Sequence, residues 1–135
     1  MTPREILFKA KRTDNGKWVE GYLTIEWIMQ TTSFKKTYCI KGFPTTPHEE
    51  YFWVEIDPAT LSQFTGLTDM NGNKIWENDI VLYDDELYVI CWDDNDACFR
   101  LELEGFIDSF SNIWGRDCEV YGNIFDNKEL IEVIP

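Results

Sequence analysis

Imidazole is nearly missing from this sequence, with His48 between Pro47 and Glu49 as its one histidine. A serine or cysteine nucleophile needs a base beside it, so this scarcity counts against triad-type catalysis. The chain also lacks a Gly-x-Ser-x-Gly elbow, a glycine-rich phosphate loop and a dinucleotide fingerprint. No run reaches the ~18 apolar residues of a membrane helix. Residues 1–11 carry Arg4, Glu5, Lys9 and Lys11 in place of the apolar core of a secretory leader. The expectation is a cytoplasmic protein with no membrane contact and no cofactor.

Paired metal ligands are absent too. Cys39, Cys91, Cys98 and Cys118 contain no Cys-x-x-Cys, whereas structural zinc sites usually draw two ligands from one turn. In a leaderless chain four cysteines read as reduced, mostly buried thiols rather than two disulfides. Cations are few, 12 against 25 carboxylates, for a net charge of −13. Residues 1–41 hold eight cations and four carboxylates, a net +4, which leaves −17 for the remainder. The acidic part repels phosphate, so nucleic acid is unexpected except through the basic N-terminal part, where Trp18, Tyr22 and Tyr38 could stack bases. Packing is the simpler role for those rings. The acidity itself keeps an aromatic-rich chain soluble or steers it to a basic partner.

What is present is strand-forming. Aromatics are 16% of 135 residues, enough for one domain with a β-rich core. Ile6, Phe8 and Ala10 alternate with Leu7, Lys9 and Lys11, and Asn15-Gly16 then precedes a second run at 18–23. Asn-Gly between β-prone runs predicts a hairpin with a type I′ turn. Gly21 within the second run predicts a bulge or close backbone approach. Residues 24–32 fit a strand or a helical turn, and 36–40 a short strand. Residues 51–56 form a strand stopped by Asp57-Pro58, which also reads as an N-cap with proline at the first helical position. Residues 57–81 form a hairpin element turning at Asn71-Gly72. Further short strands are expected at 80–83, 87–92, 97–103 and 119–124. Phe106, Phe110 and Ile113 suggest a short helix, and Asn127 caps a final turn. The class is all-β with one or two helical turns. The single domain divides into a hairpin part, 1–56, and a part resembling a small SH3-like barrel, 57–135.

Two acidic constellations invite functional readings. Residues 69–73 imitate a calcium loop, but counting from Asp69 places Lys74 where glycine belongs and Ile80 where the bidentate glutamate belongs. They read as a turn in which Asp69 and Asn73 satisfy amides. Asp84, Asp85, Glu86, Asp93, Asp94 and Asp96 sit in turn-rich stretches and read as solvated charge. They are the candidate acidic surface for a partner. A metal site or a carboxylate-based hydrolase would need them to converge.

Three blocks resemble the YopX-like family of bacteriophage and prophage proteins. The first runs from Arg4 through Ala10 and continues from Asn15 to Tyr22. The most specific is Gln63-Phe64-Thr65-Gly66-Leu67-Thr68-Asp69-Met70-Asn71-Gly72-Asn73-Lys74-Ile75-Trp76-Glu77-Asn78-Asp79-Ile80-Val81. The last is Val120-Tyr121-Gly122-Asn123-Ile124-Phe125-Asp126-Asn127-Lys128-Glu129-Leu130. Asn78 stands where the family often carries glycine, and Ala10 replaces a frequent small residue. The resemblance implies coiled, bifurcated β-sheets and a mobile-element origin, and carries no catalytic residues. The expectation is a non-enzymatic accessory protein that binds a protein partner, a host factor included. The alternatives are self-association of the +4 and −17 regions and, behind it, a metal-dependent hydrolase using the carboxylates at 84–96.

Overall fold

The computed structural model describes residues 3–42, 52–103, 106–109 and 117–131. It is all-β, and the chain divides into two compact units, Met1–Gln63 and Phe64–Pro135.

In the first unit, β1 (Phe8–Lys11) pairs antiparallel with β2 (Trp18–Gln30), and β2 with β3 (Ser33–Gly42). β4 (Phe52–Glu55) closes on the last residues of β3. Residues 24–32, which the sequence left between strand and helix, belong to one long β2–β3 ribbon in which Gln30 pairs with Ser33 across Thr31-Thr32. The core is Ala10, Ile40 and Ile56, with Phe8, Val19, Tyr38, Val54 and Leu61 packed against it. Gly21 answers a close approach: a Cβ there would meet Lys41 O and sit 2.9 Å from Ile40 Cγ2. Asp57 caps the 3-10 turn Pro58–Thr60, its carboxylate accepting from Ala59 N at 3.0 Å. Proline at the first position costs nothing there, because that amide would have no helical partner.

β5 (Ser62–Thr68) begins beside β1, where Ser62 pairs with Lys9 and Gln63 with Phe8. Within the second unit its later residues form a hairpin with β6 (Lys74–Trp76). The sheet of this unit has the order β10-β9-β8-β7-β11, with β7 Asp79–Tyr83, β8 Glu86–Asp93, β9 Cys98–Leu103, β10 Phe106–Ser109 and β11 Glu119–Asn123. It is open: among the described residues its ends do not pair to close a barrel. The short helix expected from Phe106 is, over 106–109, a strand registered on β9. Hairpin pairing with β9 overrides the helical spacing, and residues 110–113 lie outside the described part. Ile75, Val81, Ile90, Leu101 and Cys118 form the core.

The turns differ from the type I′ expectation. Gly16 and Gly72 take φ +70 and +82, while the preceding asparagines stay out of the left-handed region. Gly72 N donates to Asp69 O and Asp69 N to Asn73 O, a three-residue loop ending in a left-handed glycine. Positive φ at both central residues occurs instead at Asp84-Asp85, between Tyr83 and Glu86. Asn78 has φ +72, a left-handed conformation that asparagine adopts more readily than most side chains. Asn127 does not cap the turn Lys128–Leu130 with its side chain. Its Oδ1 accepts from Asn123 N at 3.1 Å, bending the chain back on β11.

Candidate functional site

Asp69, the first residue of the calcium-like loop, is spent on structure. Its Oδ1 accepts from Asn71 N at 2.9 Å and Asn73 N at 2.8 Å, and its Oδ2 accepts from Val120 N at 2.9 Å. Burial alone would push this carboxyl up; the amides of Val120, Asn73 and Asn71 overcome it and hold the group below its ordinary value. One side chain thus shapes a turn and ties it to β11. Asp79 acts alike, accepting from Trp76 N at 2.8 Å.

The six candidate acidic residues do not form one surface. Asp84, Asp85 and Glu86 lie at one end of β8 and Asp93, Asp94 and Asp96 at the other. Eight residues of strand part the two groups by roughly 23 Å. Asp93 closes its own turn, accepting from Asn95 N at 2.9 Å, and Arg100 bridges Asp93 and Asp96 at 3.2 and 2.6 Å. These contacts lower the Asp93 carboxyl against its partial desolvation. The two groups therefore do not converge on one point, and the close pair within them, Asp93 and Asp96, is held on Arg100. No group of three or more potential ligands among the described residues is arranged around an ion.

The cysteines are free thiols, with Cys39 and Cys118 buried. Burial, reinforced by Asp117 and Asp69, pushes Cys118 up to about 11. Burial also raises Cys39 and Cys91. Such thiols carry little thiolate at neutral pH. His48 lies outside the described residues. Of the proposed stacking rings, Trp18 has Lys9 and Lys11 over its face at 4.7 and 5.5 Å, and Tyr38 has Lys36 at 5.4 Å.

An apolar feature lies elsewhere, in the first unit. Beyond Thr24 the β2–β3 ribbon runs, among the described residues, as two strands, and Ile25 is 48% exposed, Trp27 66%, Met29 70% and Phe34 61%. The register sets Ile25 opposite Tyr38, Trp27 opposite Lys36 and Met29 opposite Phe34. Side chains alternate along a strand, so these six share one face. Glu26, Thr37, Lys35, Gln30 and Ser33 fall on the other with Ile28. The alternation is present in the sequence at 25–30, but Ile28 interrupts it, and only the pairing with β3 reveals a face. At the ribbon's base lies a pocket of about 470 Å³ bordered by β3, the β1–β2 turn and the segment after β4.

No helix among the described residues is long and apolar enough to cross a membrane. A family model described as YopX protein matches residues 7–132. Protein EF1440 from Enterococcus faecalis has a similar crystal structure, with 25% identity and a TM-score of 0.55. The match covers 96% of this chain and all of that one. No curated protein matches.

Proposed function

The chain belongs to the YopX family, and from that premise we propose a non-enzymatic phage or prophage accessory protein that binds a protein partner in the bacterial cytoplasm. The observation that carries this reading is the solvent-facing strip Ile25, Trp27, Met29 and Phe34. Together these side chains leave on the order of 500 Å² of apolar surface in water. A contiguous patch of that size on a soluble protein marks an interaction surface more often than chance exposure. The ribbon edges strengthen the case, because residues 33–37 of β3 pair only with β2 among the described residues. An unpaired strand edge offers amides and carbonyls to an added strand. The net charge of −13 keeps such a surface soluble and sets which partners approach.

Affinity capture from a natural host lysate tests the reading, using the unaltered chain, a Trp27→Ser/Phe34→Ser variant and a variant with Asp84, Asp85, Glu86, Asp93, Asp94 and Asp96 reversed to lysine. Loss of a captured protein with the first variant supports the ribbon as the contact. Loss only with the second moves the contact to the acidic turns. Identical capture by all three overturns partner binding through either surface.

Self-assembly is the second reading, favoured by the separation of +4 and −17 along the chain. It predicts a particle that shrinks on sizing columns as salt rises, because screening weakens exposed charge pairs. A size independent of salt removes it.

A further inference from the structure

The pocket at the base of the ribbon is lined by more cations than carboxylates, in a strongly acidic protein. Lys11, Arg12, Lys35 and Lys36 line it against two carboxylates, Glu55 and Asp57. Arg12 is engaged by Asp14 at 2.9 and 2.7 Å, and Lys35 reaches Glu55 at 3.7 Å. Lys36, exposed, lies 5.4 Å over the ring of Tyr38. Tyr38 and Ile56 add an apolar wall, so the cavity offers cations beside an aromatic surface. At about 470 Å³ it falls within the usual ~300–1,000 Å³ of ligand pockets.

Its placement narrows the ligand. Lys36 and Tyr38 line the pocket and also stand opposite Trp27 and Ile25 on the apolar face of the ribbon. The Lys36 and Tyr38 side of the pocket is therefore continuous with the strip, while Lys35 comes to the β3 edge from the other face of the ribbon. A bare inorganic anion would satisfy the lysines and leave the rings uncovered. An extended chain with carboxylates at one end and apolar side chains beyond them would meet both.

We infer that the pocket formed by Lys11, Lys35, Lys36 and Tyr38 receives the carboxylates of an acidic protein segment whose neighbouring apolar residues lie along Trp27 and Phe34. This rests on the partner-binding reading and names the chemistry of the partner. The segment runs beside the edge of β3 that has no second partner among the described residues, so its backbone can add to the ribbon while its carboxylates enter the pocket. The charge contacts fix register and orientation, and the aromatic strip supplies the affinity.

The test is selection of a random nonapeptide library on the full chain, on Lys35→Gln/Lys36→Gln and on Trp27→Ser/Phe34→Ser. Circular dichroism confirms that each variant is folded. Selected peptides should carry aspartate or glutamate next to aromatic or aliphatic residues. Their affinity should fall roughly tenfold on the lysine variant, return with Lys35→Arg/Lys36→Arg, and fall with rising salt. Peptides without acidic enrichment that bind the lysine variant unchanged, but lose the Trp27/Phe34 variant, overturn the pocket and leave the ribbon surface standing. Peptides indifferent to both variants overturn the ribbon reading as well. Amide shifts around the pocket with inorganic phosphate, when no selected peptide produces them, would make it a small-anion site and also overturn the inference.

Discussion

Replacing Asp69 by asparagine removes one acceptor oxygen and changes nothing else in size. Asp69 is 5% exposed, and both of its oxygens take backbone amides, two on Oδ1 and Val120 N on Oδ2. In Asp69→Asn the amide oxygen can serve Asn71 and Asn73, or Val120, but not all three. If it stays with the turn, the new NH2 group faces the Val120 N–H, donor against donor. A hydrogen bond to a charged group contributes about 1.5–3 kcal/mol, and stranding a buried amide costs about 1–3 kcal/mol. These overlap, so the expected loss is about 3 kcal/mol, or roughly 10 °C in Tm for a chain of this size. Urea unfolding followed by tryptophan fluorescence reads it. The pH dependence separates this cause from simple misfitting. The native carboxyl is held below its ordinary value, so the unfolded chain binds the proton more readily than the folded one. The contribution is complete above the ordinary carboxylate value of ~4 and disappears as pH falls through the lower folded value. A protonated aspartic acid resembles asparagine, so the gap between the two proteins should narrow steadily below pH 4. A loss under about 1 kcal/mol at pH 7, or a gap as wide at pH 3, would refute the reasoning.

Gly122→Ala should destabilise by about 1–3 kcal/mol, because its Cβ would meet Asn127 Oδ1 and lie 2.6 Å from Asn127 Cγ; urea midpoints check it, and an unchanged midpoint would mean the bend after β11 yields freely. Trp27→Ser/Phe34→Ser should shift stability by less than about 0.5 kcal/mol, since both rings are exposed, and a larger drop in thermal unfolding would show that the rings support the fold. Cys118, buried and pushed up to about 11, should resist iodoacetamide at pH 8 in the folded protein and react in denaturant. Rapid labelling of Cys118 by mass spectrometry in the native state would contradict its burial.

Much of this protein was settled by local sequence. The hairpin at 69–73, the proline-started turn at 58–60 and the strands at 79–83, 86–93 and 98–103 follow from alternation, from glycine's access to positive φ and from proline's missing amide. Asp69 could be read as a turn acceptor because aspartate satisfies nearby amides within a few residues. Contacts distant in sequence were another matter. Asp69 reaches Val120, and β11 pairs with β7; the nearby strand at Phe106 and the bend of Asn127 onto Asn123 escaped for another reason, because their local patterns also fit a helix and a cap. The acidic residues at 84–86 and 93–96 look like one cluster in sequence, yet a strand carries its two ends apart, and β8 does so here. The face formed by Ile25, Trp27, Met29 and Phe34 exists because β2 and β3 pair in one register, and the basic pocket because three separate stretches of chain meet. Periodicity specifies which way a side chain points along its own strand; which strands meet, and which faces they leave in water, is decided by the packing of the whole chain.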